Sequence, residues 1–198
     1  MHKEFIKIQH ELNNNVYMII DTETTGLAKT DRIVEITWRV CINQGEIYNR
    51  SFLIKPDGFI IPHQVIEIHH ITTEYATKHG IPIDAMFKVF NKDLNDVTHI
   101  VAHNASFDMG MITSELVRLG KQDIVDKLNS KKIICTKLST KDICNLKDKN
   151  GHLKMPKQCE LYKYVFNKEM GNAHRSGDDT RNLRDIFLEL LKRDMISP

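Results

Sequence analysis

The stretch YMIIDTETTGL, residues 17–27, ends an apolar run in two acids, Asp21 and Glu23. Strand side chains two apart share a face, so these carboxylates are expected side by side where the run stops. Adjacent carboxylates repel, and a buried unpaired one is costly unless something positive compensates it. Further acids fall at comparable places. Asp108, in VAHNASFDMGMI, lies in the first turn of an expected helix, where capping is the simple reading. Ile112 and Leu119 share its helical face, although Glu115 interrupts that stripe. Asp178 and Asp179 both open the last helix. Leu183, Ile186 and Leu190 follow Asp179 by four, seven and eleven residues, which puts Asp179 on the inward stripe. Asp178 is rotated away by about 100°, onto the wet side with Asn182 and Asp185. Asp21, Glu23, Asp108 and Asp179 could then converge as an oxygen-only set suited to Mg²⁺ or Mn²⁺. Two such ions roughly 3.5–4 Å apart activate a water and stabilise the leaving oxygen of a phosphodiester. On pattern alone the alternative stands beside it, because acids at helix starts are common without a metal.

The elements that must position these acids can be read from periodicity. Val16–Ile20 is apolar throughout, as a central strand covered on both faces would be. The next strand alternates, with Val34, Ile36, Trp38, Val40 and Ile42 on one face and Glu35, Thr37 and Arg39 on the other. After the turn residues NQGE at 43–46, Ile47–Ile54 reads as a third strand in a meander. A helical stretch is expected from about His63 to His79, and a second from Asp84 to Leu94. His99–Ala102 and Lys132–Cys135 read as short strands. Helices are expected over Phe107–Leu119, capped by Gly120, and around Leu138–Leu146, with 147–154 as a loop. Helices near Lys157–Phe166 and Gly177–Arg193 close the chain. The expectation is one α/β domain over 16–198 with a mixed sheet, preceded by a polar extension at 1–15.

Bulk composition limits the classes open to such a chain. Its 198 residues are 41% hydrophobic and 27% charged, the profile of a globular protein with one sizeable core. No apolar stretch approaches membrane-spanning length and the N-terminus has no secretory apolar core, so an intracellular, soluble protein without a membrane partner is expected. Cys41, Cys135, Cys144 and Cys159 are widely spaced with no C-x-x-C pair, which points to reduced thiols. Net charge is only +2, but Lys131–Lys168 holds ten lysines against Asp142, Asp148 and Glu160. That excess could face a polyanion or be a solvated surface.

Taken together, three segments resemble the DnaQ-like exonuclease superfamily, in its histidine-containing branch with four acidic ligands. Asp21-Thr-Glu23-Thr-Thr-Gly26-Leu27 matches its first motif, His103-Asn104-Ala-Ser-Phe107-Asp108 its second, and His174 with Asp179 its third. Motif order and spacing fit over about residues 16–192. The resemblance implies an RNase H-like α/β fold, with a central mixed five-stranded sheet flanked by helices, and 3′→5′ release of nucleoside 5′-monophosphates. It also implies that Asp21, Glu23, Asp108 and Asp179 hold two Mg²⁺ or Mn²⁺ ions, with Asp21 bridging both and His174 as general base. Imidazole suits that task because its ordinary pKa near 6.5 lets it accept a proton at neutral pH. Thr24 and Thr25 are expected near the 3′-terminal nucleotide, with Gly26 allowing close backbone approach. Leu27 is where relatives press an apolar side chain on the terminal base; ordinary packing is its alternative. His103 and Asn104 are assigned to substrate or to orienting the site, Asn104 equally to a turn. Phe107 is expected in the core, with base stacking as its second reading. The DTETTGL motif looks like DNA-directed members, so DNA is expected over RNA, with a polymerase as a possible partner.

Overall fold

The computed structural model describes Glu4, residues 15–171 and residues 175–198; the expected extension at 1–15 lies almost wholly outside them. β1 (Tyr17–Thr24), β2 (Ile33–Ile42), β3 (Gly45–Leu53), β4 (His99–Ala102) and β5 (Lys132–Cys135) form one sheet in the order β3-β2-β1-β4-β5. β1–β2 and β2–β3 are antiparallel, whereas β1–β4 and β4–β5 are parallel. That division follows from the connections. A hairpin through Asn43 and Gln44, with Gly45 at φ +141°, allows only antiparallel pairing, and parallel β4 needs the long helical crossover that precedes it. The mixed five-stranded sheet of the sequence reading is therefore the observed one.

β1 is central and buried on both faces, so its alternate residues feed two cores. Met18 and Ile20 pack with α3 (Ile83–Leu94), α4 (Ala105–Arg118) and α5 (Gln122–Asn129), through residues such as Phe90, Ile112 and Leu128. Tyr17 and Ile19 pack on the opposite face with α8 (Gln158–Phe166) and α9 (Ser176–Lys192), through Leu161, Leu183, Ile186, Phe187 and Leu190. Tyr17 meets Phe187 edge to face at 4.9 Å. A smaller cluster around Val34, Ile61, Ile71 and Ala76 seats α1 (His63–His69) and α2 (Thr73–His79) at the end of β2.

Four local features depart from the sequence reading. β1 does not stop at Ile20: it continues through both acids to Thr24, because Asp21, Thr22 and Glu23 keep pairing with β2. The single helix expected over His63–His79 is two, broken where His70 turns left-handed at φ 60°. The helix expected around Leu138–Leu146 is two single turns, α6 (Thr136–Ser139) and α7 (Lys141–Cys144), the second closed by left-handed Asn145. Glu115 does not interrupt the inward stripe of α4 but belongs to it, at 1% exposure. Among the described residues no helix is long and apolar enough to cross a membrane.

Candidate active site

The alternation of β1 explains how its acids are aimed. Asp21 and Glu23 continue the Tyr17–Ile19 face, toward α9, while Thr22 continues the Met18–Ile20 face, toward α4. The register with β2 shifts between Glu23 and Thr24, a bulge that ends regular pairing beside the acids. Asp108 comes from the other face, in the first turn of α4. Its Oδ1 accepts the Thr22 backbone N–H at 3.1 Å and the Thr22 hydroxyl at 2.9 Å, so β1 itself anchors it.

Asp179 arrives from α9, on the stripe of Leu183, Ile186 and Leu190 as its spacing predicts. The first turn of α9 is seated by the polar face of β2, and all three residues of that face are buried. Glu35 accepts from Arg175 and from the N–H and hydroxyl of Ser176; the Thr37 and Ser176 hydroxyls lie 2.7 Å apart. Arg39 donates to the Gly177 carbonyl and to the Thr180 hydroxyl. From α8, Gln158 donates to the Asp179 carbonyl at 2.8 Å. Asp178 turns aside and pairs with Arg181. Sequence reasoning missed Glu35, Ser176 and Gln158. The signal available was a strand with a polar face in a chain whose other strands near the site are apolar on both.

A cleft of about 360 Å³ gathers Asp21, Glu23, Asp108 and Asp179 with His103, Asn104, Phe107, Lys157, Gln158, Cys159 and Met170. Asp21, Glu23 and Asp179 each offer an oxygen within 4.8 Å of the others; Asp108 lies outside that triplet. Burial, followed by the charges of Asp108, Glu23 and Asp179, raises the pKa of Asp21 well above its ordinary value. Burial pushes Glu23 to about 7, helped by Asp179 and Glu35 and opposed by Arg175. Asp108 also rises to about 7 through burial, against its hydrogen bonds from Thr22. An all-oxygen, mutually repelling donor set fits a hard divalent metal.

The remaining expected residues divide. His103 lines the cleft, yet both ring nitrogens are engaged inside the protein, Nδ1 with the Thr136 hydroxyl at 3.1 Å and Nε2 with the Pro156 carbonyl at 3.0 Å. A carbonyl only accepts, so Nε2 carries a proton. Burial holds the His103 pKa down at about 4, and the ring is a neutral pin joining the end of β4 to the first residue of α6 and to the segment before α8. Asn104 is exposed and Phe107 half-buried at the cleft. Thr24, the last residue of β1, and Thr25, Gly26 and Leu27 of the adjoining loop do not line the cleft. The Thr24 hydroxyl donates to the Gly26 carbonyl at 2.6 Å and that of Thr25 to Asp31 at 2.9 Å. Asp31 also takes the Ala28 N–H at 2.7 Å, and a Cβ at Gly26 would lie 2.5 Å from its Oδ2. From α4, Glu115 binds Arg32 and Ile33, and Arg118 binds the Lys29 and Asp31 carbonyls. On this tied loop Leu27 stands 87% exposed. His174 lies outside the described residues. Of the lysine-rich segment, Lys157 borders the cleft, while Lys154 and Lys163 pair with Glu160 and Glu169.

A family model for exonucleases, RNase_T, matches residues 18–187. The PolC-type DNA polymerase III of Staphylococcus haemolyticus is 28% identical over 193 residues, covering 92% of this chain and 12% of that protein. That of Bacillus cereus is 36% identical over 115 residues, covering 55% and 8%. The chain therefore spans about an eighth or less of these relatives. Among solved structures, E. coli Exonuclease I in complex with a dA16 oligonucleotide superposes with a TM-score of 0.71 at 15% identity, over 90% of this chain and 41% of that one. A full-length 3′-exonuclease superposes at 0.67 and 14% identity, over 92% and 62%. At those identities the structural likeness is one of fold.

Proposed function

The chain belongs to the RNase_T family of DnaQ-like exonucleases, and from that premise we propose that it removes nucleotides from the 3′ ends of DNA, single-stranded or frayed, as 5′-monophosphates. The observation that carries this reading is the meeting of Asp21, Glu23 and Asp179 at one cleft, within 4.8 Å of one another, with Asp108 brought to the same cleft from α4. These four carboxylates would hold two Mg²⁺ or Mn²⁺ ions. Bound there, the cations supply Lewis-acid polarisation of the phosphodiester and a more acidic attacking water.

The chain's own residues do the rest. Asp21 and Glu23 hold their side of the site from a rigid central strand, and Thr22 keeps Asp108 against it. His174 takes the proton of the attacking water, which an imidazole does well near neutral pH. Leu27 meets the terminal base from its tied loop, with Thr24, Thr25 and Gly26 shaping that loop. Asn104 and Phe107 border the same nucleotide, His103 holds the wall behind them, and Lys157 faces the strand's phosphates. DNA is favoured by the DTETTGL motif and by relatives that are DNA polymerases, which also make a polymerase the partner class of choice.

The test is a time course on 5′-labelled single-stranded DNA with Mg²⁺ or with chelator, beside Asp21→Asn. A descending ladder that needs metal and is abolished by the substitution is expected. An active Asp21→Asn protein would sink the metal-site reading, and RNA degraded as fast as DNA would sink the preference. A strand that is bound but never shortened would make the chain a binding module.

A further inference from the structure

Glu35 is a fifth carboxylate at this site, and its role differs from that of the other four. It stands directly opposite Glu23 in the β1–β2 register, so both side chains leave the same face of the sheet. A ligand role is ruled out by its bonding. Oε1 accepts from Arg175 Nη2 at 2.6 Å, and Oε2 accepts from Arg175 Nε at 3.3 Å, the Ser176 N–H at 3.1 Å and the Ser176 hydroxyl at 2.8 Å. The residue is 4% exposed and does not line the cleft.

All four donors belong to Arg175, the N-cap of α9, and Ser176, its first residue, four and three positions before Asp179. Later turns of α9 are held largely by apolar contacts of Leu183, Ile186, Phe187 and Leu190, with one ion pair from Arg184 to Glu46. Arg39 and Gln158 add bonds near Asp179. Apolar contacts by themselves leave room for small slides and rotations. Directional bonds at the first turn remove that freedom. The Arg175 side chain is 44% exposed, and an ion pair with one partner in water contributes little net stability. Its value here is register, since about 1 Å of misplacement at a reacting centre costs on the order of a hundredfold in rate.

We propose that Glu35 is a positioning residue for Asp179: through Arg175 and Ser176 it sets the rotation and advance of α9 that bring the Asp179 carboxylate to Asp21 and Glu23. This rests on the metal-site reading above. Two proteins test it, Glu35→Gln and the apolar double variant Glu35→Leu/Arg175→Leu, each measured for melting temperature, Mn²⁺ half-saturation, and kcat and KM on a single-stranded oligodeoxynucleotide. The expected result is a kcat reduced about ten- to a hundredfold with KM within about threefold, and a Mn²⁺ half-saturation raised about tenfold. The double variant leaves the buried Ser176 N–H without its acceptor, so its melting temperature falls while it stays folded, and excess Mn²⁺ restores part of the rate. Wild-type kcat and Mn²⁺ half-saturation in a folded double variant would overturn the proposal, as would a defect confined to KM. If Glu35→Gln fails to fold, the double variant still decides. Failure of the underlying reading shows separately, as full activity in Asp179→Asn.

Discussion

At the level of single residues, the site stores repulsion. Asp21, Glu23 and Asp179 face one another half-buried, and the raised pKa values of Asp21 and Glu23 record burial together with mutual repulsion of the charged forms. Asp21→Asn should therefore raise the metal-free melting temperature at pH 8, by the equivalent of about 1 kcal/mol, while abolishing cleavage. In the parent protein, Mn²⁺ at a hundredfold excess over its dissociation constant should add about 2.7 kcal/mol, and the variant should lose most of that increment. Thermal melts with and without Mn²⁺ check both, and a less stable metal-free variant would contradict the account. His103 gives the opposite kind of prediction. Its folded pKa, about 4, lies below the ordinary 6.5, so the fold prefers the neutral ring. That preference stabilises fully above pH 6.5 and is lost as pH falls toward 4, a change on the order of 3 kcal/mol. Because Glu23 and Asp108 titrate in the reverse sense over the same range, the comparison is with His103→Gln. The stability gap between the two proteins should narrow from pH 7 to 4.5 in urea titrations; a constant gap would mean the ring never changes charge. Asp21, Glu23, Asp108 and Asp179 were all readable from spacing. The inward use of Glu115 and the internal pinning of His103 were not, because each depends on a partner more than thirty residues away.

Elements show the same division between what periodicity reveals and what tertiary contact decides. The alternation of β1 and the stripe of α9 were legible, and they place Asp21 and Asp179 where expected. The polar face of β2 was legible as a pattern but not as a seat for α9, since a strand's polar face more often meets water than a helix terminus. The break at His70 escaped because a left-handed non-glycine residue leaves no mark in hydrophobic spacing. Two substitutions separate the roles of neighbouring elements. Phe187→Ala removes the ring that meets Tyr17 in the α9 core and should cost about 3–5 kcal/mol in denaturant unfolding. Leu27→Ala touches almost nothing in the folded chain and should shift stability by less than about 0.5 kcal/mol. Its effect belongs in KM for DNA, and hydrolysis of a nucleoside 5′-monophosphate p-nitrophenyl ester should be the milder loss. A large drop in melting temperature for Leu27→Ala would return that residue to ordinary packing.

For the molecule as a whole, charge is nearly balanced but unevenly spread, with the lysine excess of 131–168 reaching the cleft at Lys157. Binding of a single strand should therefore weaken with salt, by about 0.7 in log K per log unit of salt for each phosphate contacted. Raising salt should increase KM on an oligonucleotide while leaving turnover of the small ester nearly flat, and an equal response in both would mean the lysines are only a solvated surface. The sheet order carries one more consequence. β1 and β2 come from the start of the chain, yet the helix that completes their acidic cluster is the last long element, with Asp179 joining Asp21 across almost the whole sequence. The acidic cluster is therefore a long-range contact: a chain in which α9 has not docked on β1 and β2 keeps Asp21, Glu23 and Asp108 without the Asp179 carboxylate.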